Sequence, residues 1–230
     1  MNKSKGFTLI ELLISVSLLS ALLLLGNYSY SLFASKWQKD LGAFNSTIQD
    51  LKGKELLNEI LSSTVPYVIF DDSKNNSNLK TTLLFVGNVQ SLFAVSNSGI
   101  ISAHHPEVYK IFTKESLDGK LDLIYQSSSL SHINMVNVNQ SFTFEHEFIL
   151  LNDIDSLNIQ YFGWNNIDEK MTKDSNNAVR KWFTDYSGVD KRLLPEKISL
   201  EISINDKLHI YNFEVDKESD LTLFRYDEDV

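Results

Sequence analysis

Phe7-Thr8-Leu9-Ile10-Glu11-Leu12-Leu13-Ile14-Ser15-Val16-Ser17-Leu18-Leu19-Ser20-Ala21-Leu22-Leu23-Leu24-Leu25 decides the architecture: a long apolar run holding one acid, with Lys3, Lys5 and Gly6 just before it. As an α-helix it rises about 28 Å, close to the hydrocarbon thickness of a bilayer, and is predicted to span a membrane once. Lysines at its amino end place the leader in the cytoplasm by the positive-inside rule, so everything after Gly26 lies across the membrane. A secretory leader would carry its small-residue cleavage site after the apolar stretch. Here the small residue, Gly6, precedes the stretch, the reverse of that order. Glu11 costs roughly 2.5 to 3.5 kcal/mol inside hydrocarbon even on the lenient insertion scale, so it persists only where something neutralises it. The natural counterion is an amine. The competing reading is a membrane-edge acid that reaches the headgroups unaided, since Glu11 lies only about 6 Å along the helix from Phe7.

Composition describes what the anchor carries. The 230 residues include 43% hydrophobic and 11% aromatic side chains, enough beyond the anchor for one folded domain or two small ones. Cysteine is absent, which excludes disulfides, thiolate catalysis and cysteine metal sites. Net charge is −9, from 21 basic and 30 acidic residues; without Lys3 and Lys5 it would be 19 against 30, or −11. Such an acidic chain is not expected to bind nucleic acid, which depends on lysines and arginines displacing counterions from phosphates.

After Gly26 the pattern narrows to one apolar stripe: Phe33, Trp37, Leu41, Phe44, Ile48 and Leu51, spaced four, four, three, four and three. That is helical spacing, continued by Leu56, Leu57, Ile60 and Leu61 and stopped by Pro66, with the helix end expected at 62–64. Anchor and stalk read as one helix, the stripe docking on the following domain, with Gly26, Gly42 and Gly53 as soft points. Beyond Pro66 the period shifts toward two. Strands are predicted at 67–70, 83–87, 91–95, 108–113, 121–125, 142–150, 157–162, 198–204 and 208–215. In the last pair Ile198, Leu200, Ile202 and Ile204 alternate with polar residues, and Asn205-Asp206 makes a tight connection. Residues 165–190 read as a long polar loop ending in Trp182, Phe183 and Tyr186, either a contact surface or a loop pinned by its aromatics.

Lys5-Gly6 followed by Phe7-Thr8-Leu9-Ile10-Glu11-Leu12-Leu13 resembles the class III signal of type IV pilins and type II secretion pseudopilins. The resemblance implies an α+β fold in which a long amino-terminal helix packs on an antiparallel β-sheet head. It divides the chain into a leader (1–6), a transmembrane helix (7–26), an amphipathic stalk (27–63) and a periplasmic β-rich head (64–230). It also implies that prepilin peptidase cuts between Gly6 and Phe7 and methylates the new Phe7 terminus. Glu11 then pairs with the amino terminus of a neighbouring subunit, with Thr8 adding a hydrogen bond. Breaking such a desolvated pair from one side costs roughly 3 to 5 kcal/mol, which suits a device that sets register. Many pilins carry a proline shortly after the anchor; this chain has none there, and Gly26 is the only substitute.

The head looks most like that of J-type minor pseudopilins. Phe85-Val86-Gly87 leads to Leu92-Phe93-Ala94-Val95-Ser96, Leu150 to Leu157 leads to Tyr161-Phe162-Gly163-Trp164, and Trp182 precedes Leu194-Pro195-Glu196-Lys197-Ile198. This implies a structural subunit of a filament tip and initiation complex in the bacterial inner membrane, with I-, K- and H-type minor pseudopilins, the major pseudopilin, prepilin peptidase and membrane lipid as partners. A minor pilin of a type IV pilus shares the same anchor and is the alternative.

Site chemistry of other kinds has little support. Asp71, Asp72, Asn75, Asn76 and Asn78 offer oxygens to calcium, but their spacing fits no known loop and solvated turns account for them. His146 sits between Glu145 and Glu147 on a strand and points away from both, and His104-His105-Pro106 reads as a turn; no metal or cofactor is expected. Asp153 and Asp155 read as bounding a turn rather than as a carboxylate pair. Without a Gly-x-Ser-x-Gly elbow, a His-Glu-x-x-His helix, a phosphate loop or a cysteine nucleophile, catalytic residues are not expected, and a tethered hydrolase assembled from dispersed residues is the weakest reading.

Overall fold

The computed structural model describes residues 8–71, 80–101, 105–116, 119–137, 140–172, 179–215 and 218–228; the side chains of 40–47, 49, 50, 71, 80, 227 and 228 are also outside the description. The chain forms two compact units divided between Gln49 and Asp50. A single helix, α1 (Leu9–Ser62), runs through both.

In the first unit the described large apolar side chains of the helix are exposed, Ile48 apart. Side chains from Leu9 to Leu25 are exposed, and the segment is long and apolar enough to cross a membrane. The stripe expected to dock is exposed too: Phe33 and Trp37 are 64% and 58% accessible and stack on each other at 5.9 Å. Leu51, just inside the second unit, is 60% accessible, whereas the Leu41 and Phe44 side chains lie outside the described residues. Ile48 is half-buried. In the second unit the first buried position of the helix is Gly53, where a Cβ would overlap the Leu150 carbonyl oxygen and lie 3.1 Å from the Leu151 side chain. A glycine lets the helix backbone reach the sheet there, so Gly53 is a contact point rather than only a soft one. Leu57, Ile60 and Leu61 then bury fully.

The second unit is α+β, with antiparallel sheets as expected. β1 (Val68–Asp71) pairs with β2 (Lys80–Leu83). Strands β3 (Val86–Gly87), β4 (Ser91–Ser96), β5 (Glu107–Glu115), β6 (Leu121–Ser129), β7 (His146–Ile154) and β10 (Tyr186–Ser187) build a six-stranded sheet in the order β10-β3-β4-β5-β6-β7. A second sheet has the order β12-β11-β8-β9, from β8 (Ser156–Gly163), β9 (Lys181–Phe183), β11 (Lys197–Ile204) and β12 (Lys207–Glu214). Only Asp155 separates β7 from β8, so the chain changes sheet there. Asp153 just before it has φ 54, which fits the turn reading of this acid pair.

The core follows strand alternation. Leu92, Ala94, Tyr109, Ile111, Leu123 and Tyr125 share one face of the six-stranded sheet and join Leu57, Ile60 and Leu61 of α1 and the inward residues of β8 and β11 in one cluster. On the opposite face Val95 and Val108 pack with Ile69, Leu84 and Met135. The end of α1 is stitched to β4: Val65 N–H donates to the Val95 carbonyl at 3.0 Å and Asn97 N–H to the Ser63 carbonyl at 2.8 Å. Thr64 Oγ1 lies 2.7 Å from Tyr109 Oη, satisfying two buried hydroxyls together.

Several expectations need correction. The predicted strand 83–87 is two strands, β2 and β3, because the chain crosses between sheets at Leu84-Phe85. The predicted loop 165–190 holds α2 (Ile167–Met171), β9, β10 and α3 (Gly188–Lys191), though 173–178, including Asn176-Asn177, lie outside the described residues. Its aromatics mostly pin it: Phe183 and Tyr186 meet at 5.6 Å, and Tyr186 Oη donates to the Trp164 and Leu194 carbonyls. Trp182 alone of the three is half exposed, against Phe162. A carboxy-terminal helix, α4 (Ser219–Glu228), follows β12 and was not expected.

Candidate assembly site

Of the predicted site residues, Gly6 and Phe7 lie outside the described residues, as do 1–5. Thr8 and Glu11 are brought together. Thr8 is the last residue before α1 and Glu11 the third within it. Thr8 N–H donates to Glu11 Oε2 at 3.0 Å and Thr8 Oγ1 donates to the same oxygen at 2.9 Å; Glu11 N–H donates to Thr8 Oγ1 at 3.4 Å. This reciprocal pattern is a capping box, which satisfies two backbone donors that the first helical turn leaves open.

Two consequences follow for chemistry. The carboxylate is folded back toward the amino end of the helix, where the macrodipole also favours negative charge, instead of lying along the apolar surface. Among the described residues only Oε2 is engaged, so Oε1 can accept from a cation approaching the helix start. Within the one chain, the Thr8 hydroxyl donates to Glu11 of that same chain. The signal for this cap was in the sequence: threonine followed three residues later by glutamate, at the head of an apolar run.

Ser15, Ser17 and Ser20, the hydroxyls inside the apolar segment, donate to helix carbonyls three or four residues back. None is left to demand a partner in hydrocarbon. Beyond the apolar segment, Tyr30, Phe33, Ala34 and Trp37 line an open groove on α1.

Elsewhere, the oxygen-rich residues 72–79 and His104 lie outside the described residues. His146 stacks on Phe148 at 6.4 Å, and Glu145 pairs instead with His132 at 3.2 Å. Among the described residues no three His, Asp or Glu side chains gather in a metal-binding group.

Residues 1–26 match the family model of the prokaryotic N-terminal methylation motif, which is typical of type IV pilin-like proteins. Neither a curated protein nor a solved structure matches the chain. The amino-terminal motif and the long helix leading into an antiparallel β domain together make the architecture pilin-like.

Proposed function

We propose that the chain is a J-type minor pseudopilin, a structural subunit of the complex that caps and starts a type II secretion pseudopilus. Prepilin peptidase cuts between Gly6 and Phe7 and methylates the Phe7 amine; the anchor stays in the inner membrane and the head faces the periplasm. The observation that carries this reading is the Thr8–Glu11 box, which presents a carboxylate at the start of an otherwise uncharged, exposed helix within the matched motif.

The mechanism is register setting. Cleavage creates a new cation at Phe7, and the free Oε1 of Glu11 on a neighbouring chain accepts from it. In hydrocarbon the pair is costly to break from one side, so helices that slip out of register are penalised. The exposed Tyr30, Phe33 and Trp37 face then packs against helices of the I-, K- and H-type companions or of the major pseudopilin. The anchor features are equally those of minor pilins of type IV pili, so the secretion assignment rests on the head segments between Trp164 and Ile198.

Glu11→Leu tests it. The variant is expected to insert and be processed, yet to be recovered in crosslinked assemblies with partner subunits at least about tenfold less than the parent, given the energy of a one-sided break. Equal recovery removes the pairing mechanism, and a native polypeptide that keeps residues 1–6 removes the processing on which it depends.

A further inference from the structure

The sheet edges of the head are unequal. β9 and β10 end their sheets as strands of three and two residues, and β7 is irregular, its register against β6 shifting between Leu121 and Leu123 and again between Leu123 and Ile124. Short or bulged strands are how proteins blunt edges against pairing with other chains. β12 has neither device. Its eight residues pair without a break from Lys197↔Glu214 to Ile204↔Lys207, and it contains no proline.

The phase of its hydrogen bonds is fixed by the hairpin. Lys207 opposes Ile204 across the two-residue turn, and Val215 N–H donates to the Glu196 carbonyl at 3.0 Å, so the odd-numbered residues bond to β11. The N–H and C=O groups of Leu208, Ile210 and Asn212 therefore point away from the sheet, and among the described residues none of them has a hydrogen-bond partner. Leu208 and Ile210 also present exposed side chains, 61% and 55% accessible. A row of outward donors and acceptors beside alternate apolar side chains matches an extended strand and little else.

We propose that this edge pairs with the same edge of a second copy, antiparallel and about a two-fold axis through Ile210. An outward residue must face an outward residue, so Ile210 opposes its counterpart and Leu208 opposes Asn212, giving about six backbone hydrogen bonds and one continuous eight-stranded sheet. Leu208 and Ile210 of both copies then share one face. On the other face His209 opposes Tyr211, extending a ring stack that already runs along each strand at 6.5 Å. Charge favours a second copy over a dedicated basic partner. The protein carries −9, yet 208–213 holds no acid or lysine, and nearby Glu214 is already met by Lys197 at 3.4 Å. Across 208–213 the two copies therefore bring no like charges opposite each other, and Glu214 faces Asp206 only at the two ends. An eight-residue strand pair covers less than the roughly 1,600 Å² of a standard interface, so the association is weak and reversible.

Because the chain has no cysteine, single cysteines report the register directly. The concentrated full-length chain in detergent micelles is oxidised mildly as Ile210→Cys, Leu208→Cys and, as a collision control, Val179→Cys, which is 74% accessible. Ile210→Cys should form disulfide dimer at least about tenfold faster than either, since opposed residues sit within bridging range whereas the two copies of residue 208 lie about 14 Å apart. Asn212→Pro, which removes an outward donor and leaves the β11 ladder intact, should abolish that advantage. Equal rates at 208 and 210, a rate at 210 no higher than at 179, or adducts of Ile210→Cys to a different protein in place of the dimer would overturn the proposal.

Discussion

The two ends of α1 both carry apolar side chains and meet opposite fates. From Leu9 to Trp37 the described large apolar side chains are exposed; from Leu57 to Leu61 the leucines and Ile60 sit in the core of the head. Hydrophobicity does not separate the regions, since the amino-terminal one is the more apolar. What separates them is the surface each meets. Gly53 brings the helix backbone against β7, and Thr64 ties its end to Tyr109, so the last turns belong to a packed domain. The first turns leave their apolar surface exposed, on a segment long and apolar enough to cross a membrane. An exposed apolar patch of this extent marks an interaction surface.

The largest effect expected to sharpen this contrast is alkaline. Burial pushes the hydroxyls of Tyr109, Tyr125, Tyr161 and Tyr186 above the ordinary tyrosine range. The folded head holds those protons more tightly than the unfolded chain, so its stability is intact below the unfolded tyrosine value near 10 and falls as pH rises through and beyond it. The last part of the tyrosinate absorbance, that of these four rings, should appear together with loss of sheet circular dichroism, while the apolar half of α1 in lipid stays helical. Ionisation of all nine tyrosines before the sheet signal is lost would contradict the burial.

Next in size is Leu61→Ala, which empties a fully buried site and should destabilise the head by about 3 kcal/mol in urea unfolding. Phe33→Ala removes a larger side chain from the same helix and should leave the midpoint unchanged, because that side chain is exposed. Equal losses would erase the distinction between the two ends. The smallest difference is between glycines. Gly53→Ala should cost about 2 kcal/mol as its Cβ pushes on the Leu150 carbonyl, although alanine is the better helix former. Gly26→Ala, with open space around it, should leave the head's stability as it is.

Legibility tracked how local the determining physics was. The helix end, expected at 62–64, falls at Ser62, because Pro66 and the apolar period act within a few residues. The hairpin β11–β12 appears with the expected turn at Asn205 and Asp206, both at positive φ, as a two-residue connection requires. By contrast, the long predicted loop conceals β9, β10 and two short helices. Strands of two or three residues show no period and exist only because β8 and β3 offer them an edge. The Thr8–Glu11 cap is written in a spacing of three residues at the head of an apolar run, and its bonds within one chain follow from capping geometry.

By itself the sequence determined that a long apolar helix bearing one acid leads into an antiparallel β domain, because bilayer length and alternation along strands are written in consecutive residues. Tertiary structure alone decided where that helix stops being a free surface and which strand edge stays open. Both depend on which backbones approach one another across the fold, and residues far apart in the chain set that together.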